Sequence, residues 1–461
     1  MRLTVIGCGY LGAVHAAAMA DLGHHVLGVE TDPARLALLA RGEAPFYEPG
    51  LDELLRRGAR TGRLRYTAEL DGAAARADVH FLAVGTPQSP SGRGADLSHL
   101  WRAVDSLAAV LPRCVHPDGM PLVVGKSTVP VGTAQQVADR LAGRALVVWN
   151  PEFLRESMAV ADTLSPDRIV YGLPTEPARA ERARAILDEV YAPILAAGTP
   201  RLTMDYQTAE LVKTAANAFL ATKISFINAM SALCAATGAD VTVLADAIGR
   251  DARIGPHFLR AGLGFGGGCL PKDLRGLEQS AAELGANGLA SFLSRVDSIN
   301  RGQRDRVTQM ALEALGPNPA GRAVTILGIT FKPDSDDLRD SPVLEVALRL
   351  ADAGAVVTVH DPRGLEGLSR LHPVLRAQPD ALRALEGAEL VILGTEWKEL
   401  TDLDPRAAAA RVARPVLIDA RNALAPSRWT AAGWDYHGIG RPSELRWSAP
   451  RRRALAGTMV G

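Results

Sequence analysis

Short apolar runs that close on glycine or an acidic residue, each followed by apolar positions at helical spacing, recur along the chain. Residues 3–6 form one such run, residues 12–22 carry the helical repeat, and residues 25–30 form a second run ending at Glu30. Near the other end, residues 323–327 close on Gly328, residues 342–353 repeat with helical period, and residues 355–360 stop at Asp361-Pro362. Each succession reads as a βαβ unit. Such a unit implies parallel strands, because the helix carries the chain back to the starting edge.

The two units continue alike. Residues 78–87 and 389–397 are buried-type strands running into Gly-Thr turns, so two doubly wound halves are expected. Between them, residues 208–237 keep helical spacing without glycine or proline, which suits a helix bridging two domains. Turn-rich segments at Gly198-Thr-Pro200 and Gly316-Pro-Asn-Pro-Ala-Gly321 set the boundaries. The expected fold is α/β. A Rossmann domain at 1–198 and a Rossmann-like domain at 321–440 flank a central helical domain at 199–320, with a tail at 441–461.

Composition narrows the function. Hydrophobic residues at 47% and charged residues at 22% exclude disorder as the dominant state. The 51 Lys and Arg cancel the 51 Asp and Glu without long blocks of one sign, so no nucleic-acid partner is expected. Cys8, Cys114, Cys234 and Cys269 lie far apart without CxxC spacing, which argues against a zinc site or disulfide framework and fits a reducing cytoplasm. The chain starts directly on a strand pattern, and no apolar run is expected to reach the roughly 18 residues of a membrane span. A cytoplasmic protein without metal or membrane partner is the expectation.

Gly7-Cys8-Gly9-Tyr10-Leu11-Gly12 fits G-x-G-x-x-G in the context that gives the motif meaning, between a strand and a helix, with Glu30 lying 18 residues beyond Gly12. Gly7 would make the tight turn, Gly9 would let the backbone meet a pyrophosphate at the helix N-terminus, and Gly12 would allow close helix packing. Glu30 would bind ribose hydroxyls and repel a 2′-phosphate, so NAD is expected rather than NADP, with Arg35 as the residue that could reverse this. The second half has Gly328-Ile-Thr-Phe-Lys-Pro at the corresponding turn and is expected to bind something else.

Gly262-Leu-Gly-Phe-Gly-Gly-Gly-Cys-Leu-Pro-Lys-Asp273 runs through glycines into a cysteine just before an expected helix start. The glycines would admit a ligand close to the backbone, and the helix N-terminus would lower the thiol from its usual value of about 8.5. From the residues alone, a reactive Cys269 and a buried structural one stand equal. Two other segments tip the balance. Asn150-Pro-Glu-Phe-Leu-Arg-Glu156 sets two carboxylates after a strand, and Lys213 and Asn217 lie one turn apart on one helix face.

Taken together, these motifs resemble the UDP-glucose 6-dehydrogenases within the UDP-glucose/GDP-mannose dehydrogenase family. The matches run in order through residues 5–12, Val84-Gly-Thr-Pro87, Lys126-Ser-Thr-Val-Pro130, Asn150-Pro-Glu-Phe-Leu154, residues 210–228, Arg253-Ile-Gly255, residues 264–273 and residues 331–342. The resemblance implies an NAD-dependent, four-electron oxidation of UDP-glucose to UDP-glucuronate through aldehyde, thiohemiacetal and thioester stages on Cys269. It assigns proton transfer and water activation to Glu152 and Asp273, oxyanion stabilisation to Lys213 and a hydrogen bond to the reacting oxygen to Asn217. Cofactor contacts are implied at Gly7, Gly9, Tyr10, Leu11, Gly12, Glu30, Arg35, Thr86, Pro87, Ser127, Thr128, Glu156 and Arg339. Substrate contacts are implied at Phe153, Leu154, Arg253, Phe258, Leu259, Arg260, Phe265, Gly266, Lys332 and Arg421.

By the same resemblance Arg253 reaches a neighbouring subunit's sugar, which implies a homodimer or a multiple of one. GDP-mannose 6-dehydrogenase shares the cysteine segment and stays an alternative. A one-step 3-hydroxyacid dehydrogenase would not need Cys269, and a sensing module with a decayed site would lack the cysteine, the lysine or the carboxylate. Two departures stand out: Gly268 where many members have serine, and Ser157-Met158 where a glycine-containing pair is commoner.

Overall fold

The computed structural model describes residues 1–442 apart from 71–75, 90–93 and 112–118. Cys114, and all but the first two residues of the expected tail, lie outside the described residues. The first sheet is built from β1 (Arg2–Ile6), β2 (His25–Val29), β3 (Leu64–Thr67), β4 (Val79–Leu82), β5 (Leu122–Gly125), β6 (Leu146–Trp149), β7 (Ile169–Leu173) and β8 (Arg201–Asp205), in the order 3-2-1-4-5-6-7-8. Its neighbours pair in parallel except β6 with β7. Strands β4, β5 and β6 are buried at every position, as strands covered on both faces must be. The order reverses between β1 and β4, and such a switch point opens a crevice at the carboxyl ends of the strands.

The second sheet repeats the theme with β9 (Ala323–Leu327), β10 (Val356–His360), β11 (Arg376–Ala377), β12 (Leu390–Leu393), β13 (Val416–Asp419) and β14 (Asp435–Gly438), in the order 11-10-9-12-13-14, with parallel pairing throughout. An acidic residue ends the second strand of each half and braces the first turn. Glu30 accepts the Cys8 amide at 3.1 Å, and Asp361 accepts the Ile329 and Thr330 amides at 2.7 and 3.1 Å.

Three helices join the halves: Tyr206–Thr237, Leu270–Glu283 and Asn287–Leu315. The Asp205 carboxylate caps the first of them through the Thr208 amide at 2.7 Å, and Gly238 ends it in the left-handed conformation. Ala218, Ala221, Phe265, Leu274, Leu277, Leu293 and Val296 pack the three helices around the cysteine loop. Two sequence expectations shift. Strand β8 lies beyond residue 198 yet pairs with β7, so the helical part begins at Tyr206. The long helix also reaches the length and apolar character of a membrane span, because its many alanines add to its Leu, Ile and Phe residues. Within this fold it is a strut between the halves, buried at Glu210, Lys213, Thr214 and Asn228 and exposed at Phe219, Phe226 and Leu233.

Candidate active site

The phosphate loop fits a dinucleotide. Gly7 turns at φ 87°, a Cβ on Gly12 would lie 1.8 Å from the Gly7 carbonyl oxygen, and nothing stands within 4 Å of a Cβ built on Gly9. Gly9 caps the helix Tyr10–Asp21 with no side chain on the cap, leaving the first-turn amides for an anion. Leu11 packs against the first core. The Tyr10 hydroxyl donates to buried Glu48, which also accepts the Ser157 amide at 2.8 Å. Glu30 is buried and paired with Arg35 at 3.1 Å, so the cation that could have welcomed a 2′-phosphate is engaged by the carboxylate that excludes one. Cys8 is buried, and desolvation drives its thiol far above the ordinary range, so it is not a competing nucleophile.

Across the switch point, the Thr86 hydroxyl donates to the Thr128 carbonyl at 2.7 Å and the Ser127 hydroxyl to the Val84 carbonyl at 2.7 Å. Two strand-end turns, after β4 and β5, are thereby locked together, and Pro87 continues the first of them beside a cleft that Thr128, Lys272 and Asp273 also line.

The residues expected to react converge from three elements. Glu152 follows β6, Lys213 stands on the long helix, and Cys269 caps the helix Leu270–Glu283, which carries Asp273 in its first turn. Lys213 Nζ lies 2.8 Å from Glu152 Oε1, with both side chains largely buried. Burial opposes the charge on both. Nevertheless Glu152, Asp273 and Cys269 hold Lys213 above its ordinary value, while Lys213, the Leu154 amide and Lys126 hold Glu152 below the usual carboxylate range. The pair is ionised. Asn217 Nδ2 donates to Asp273 Oδ2 at 2.7 Å, and Lys272 donates to the other oxygen of the same carboxylate.

Cys269 is open to solvent but stands deep among protein groups. Desolvation pushes its thiol up to about 11, Lys213 and Lys272 opposing the rise and Glu152 and Asp273 adding to it. This overturns the sequence expectation of a lowered thiol. The partial charge of a helix end is smaller than the cost of stripping water from a thiolate, so the thiol waits protonated.

The third domain reaches the same loop. Lys332 Nζ donates to the Glu156 carbonyl, and Arg339 Nη2 lies 3.4 Å from Glu156 Oε1 and 2.7 Å from Asp337 Oδ2. Burial pushes the Glu156 carboxyl up to about 7, Asp337 adding to this and Arg339 and Lys332 opposing it. A Cβ on Gly268 would come 2.6 Å from the Arg339 guanidinium carbon, so glycine there lets Arg339 lie against the cysteine loop. Ser157 holds φ 69°, a conformation glycine adopts without strain, and its hydroxyl is buried without a partner among the described residues.

The expected substrate contacts divide. Leu259, Phe265 and Gly266 are buried in the loop framework, Phe258 is exposed at φ 63°, and Arg260 lies 3.7 Å from Glu396. Arg421 donates to the carbonyls of Gly394, Gly264 and Phe331, stitching the glycine loop to the third domain. The Arg253 side chain is 89% exposed and paired with Asp251. Phe153 lies under the Arg168 guanidinium at 3.8 Å, a partner the sequence reading missed because nothing about a lone arginine marks it. Glu48 was missed too, and Lys126, quoted in a matched motif, was given no role, since their contacts are distant in sequence.

Family models of the UDP-glucose/GDP-mannose dehydrogenases match in three parts: the NAD binding domain over residues 1–195, the central domain over 207–302 and the UDP binding domain over 325–426. A UDP-glucose 6-dehydrogenase of Pseudomonas aeruginosa is 41% identical over 457 residues, covering 96% of this chain and 98% of the relative. One from Rhizobium meliloti is 39% identical over 447 residues, covering 96% and 100%. Among solved structures, a UDP-glucose dehydrogenase from the archaeon Pyrobaculum islandicum superposes with a TM-score of 0.86 at 38% identity, covering 95% of this chain and 98% of that one.

Proposed function

Because the chain belongs to the UDP-glucose/GDP-mannose dehydrogenase family, an NAD-dependent group acting on nucleotide sugars, we propose that it oxidises UDP-glucose to UDP-glucuronate in two steps at Cys269. The observation that carries this reading is the convergence of Lys213, Glu152 and Asp273 on one accessible cysteine in a chain that also carries a dinucleotide loop. A single alcohol oxidation needs no nucleophile, whereas an aldehyde yields a second hydride only after something has added to its carbonyl. UDP is favoured over GDP because the third part of the chain matches a UDP binding domain and the relatives named are UDP-glucose enzymes.

NAD, when bound, takes up one hydride in each oxidation. Glu152 or Asp273 accepts the C6 hydroxyl proton in the first oxidation, while the Lys213 ammonium stabilises the negative oxygen, an effect typically of about 10² to 10³ per donor. The Cys269 thiol then passes its proton to Glu152 or Asp273 as its sulfur adds to the aldehyde carbon, with Asn217 hydrogen-bonded to the oxygen that becomes charged. Oxidation of this thiohemiacetal leaves a thioester. Water, activated by a carboxylate, breaks the carbon–sulfur bond and regenerates the thiol. Two hydrides leave, one water oxygen enters, and the cysteine is unchanged. A thiol held near 11 suits this order, since it stays protonated until an aldehyde is beside it.

A homodimer, or a multiple of one, is part of the proposal. Phe219, Phe226 and Leu233 are 67%, 51% and 56% exposed at seven-residue spacing along the long helix, an apolar stripe suited to a second copy.

Cys269→Ser tests the covalent step. Serine adds to the aldehyde and is oxidised to an ester, which hydrolyses far more slowly than a thioester. Intact-protein mass spectrometry after incubation with UDP-glucose and NAD is expected to show a sugar-nucleotide adduct that digestion maps to position 269. Turnover to the acid by Cys269→Ala near the wild-type rate would overturn the covalent mechanism.

A further inference from the structure

Lys126 has no part in the chemistry above, yet it stands behind it. It follows the end of β5, is only 7% exposed, and its Nζ donates to Asn150 Oδ1 at 3.0 Å. Asn150 also accepts the Tyr191 hydroxyl at 2.7 Å and donates from Nδ2 to the Val170 carbonyl at 2.8 Å. One amide thus ties β5, β7 and Tyr191 to the base of the loop that carries Glu152 two residues on. The charged and titratable groups around Lys126 are Glu152 on that loop, Lys213 on the long helix, His15 on the Tyr10–Asp21 helix and the Tyr191 hydroxyl, which shares Asn150 Oδ1 with it. A buried ammonium is costly unless an anion uses it. Glu152 is the carboxylate that acts on Lys126, whereas Lys213 is shared among Glu152, Asp273 and Cys269. Glu152 thus feels two cations, Lys213 in a 2.8 Å ion pair and Lys126 from its bond to Asn150 at the base of the same loop, and Lys126 keeps that place whatever Lys213 engages during turnover.

We infer that Lys126 is a positioning residue: through Asn150 it fixes the Glu152 loop, and it supplies the second positive charge on the Glu152 carboxylate. This rests on the reading of Glu152 as a proton-transferring group. Burial lowers Lys126 to about 8, with Lys213 lowering it further and Glu152 opposing, so it is mostly charged near neutrality and loses this function above that pH.

Two substitutions separate the hydrogen bond from the charge. Lys126→Gln keeps a donor for Asn150 and loses the charge, while Lys126→Met loses both. The acid limb of the rate of UDP-glucose oxidation is measured against pH. In the ligand-free protein the Glu152 carboxyl is titrated by carboxyl-labelled NMR, its signal assigned with Glu152→Gln. In both variants the limb and the titration are expected to move to higher pH by about one unit, a tenfold change in acid strength, with kcat affected more than KM. Lys126→Gln is expected to melt like the wild type, so it carries the test even if Lys126→Met does not fold. An unmoved titration in Lys126→Gln would overturn the inference, however slow the enzyme. A moved titration with an unmoved acid limb would uphold the charge coupling and instead refute Glu152 as the proton-transferring group.

Discussion

Glu30 and Arg35 form an ion pair at the end of β2, and we propose that this pair decides which dinucleotide the loop accepts. Removing the carboxylate would both delete the ribose acceptor and release the guanidinium toward a 2′-phosphate. Glu30→Ala is expected to lower kcat/KM for NAD and to narrow the preference for NAD over NADP to within about tenfold, measured by initial rates with each cofactor. Unchanged selectivity would place the discrimination elsewhere. The motif around Glu30 was legible because glycine positions and strand ends are local matters. The protonation of Cys269 was not, since it depends on how many groups from distant segments crowd one sulfur. The same holds for Ser157, whose departure from glycine is visible in the sequence while its left-handed backbone is not.

Among the elements, the long helix is the one that couples the halves. Glu210, one turn before Lys213, accepts the Gly132 amide at 2.7 Å and the Ala134 amide at 2.6 Å, capping the helix Thr133–Leu141 that follows the Thr128 turn. Burial holds its carboxyl above the usual value, with those amides opposing. Glu210→Ala would leave buried donors unpaired at about 1–3 kcal/mol. A drop of several degrees in the first thermal transition is expected, together with a lower kcat, because Lys213 and the Thr128 turn would no longer share a fixed frame. A variant with wild-type melting and rate would show that the cap does not position either group. Uninterrupted apolar spacing announces this helix in the sequence, but nothing announces β8 just before it. That strand has the burial pattern of a sheet edge, exposed at four of five positions, so no apolar run announces it.

For the molecule as a whole, the repeated βαβ pattern foretold two parallel sheets, as found but for the β6–β7 pair, since short crossovers of fixed handedness join parallel strands. How the third domain closes on the first could not be foretold. It depends on Lys332 and Arg339 meeting Glu156, and on the Tyr47 amide donating to Asp336 at 3.1 Å, contacts between segments far apart in sequence. The exposed stripe on the long helix belongs to this scale as well. Phe226→Asp is expected to shift sedimentation from dimer or higher toward monomer, and a wild type that sediments as a monomer at micromolar concentration would refute the oligomer.

The accessible cysteine amid ionised partners matters only if both oxidations occur on one sugar. Purified protein incubated with excess NAD and a limiting, weighed amount of UDP-glucose gives that count directly, NADH being followed by absorbance and the product identified by mass. Two NADH per UDP-glucose, with UDP-glucuronate as the product, is the expected result. One NADH per sugar, with free UDP-6-aldehydo-glucose accumulating, would contradict it.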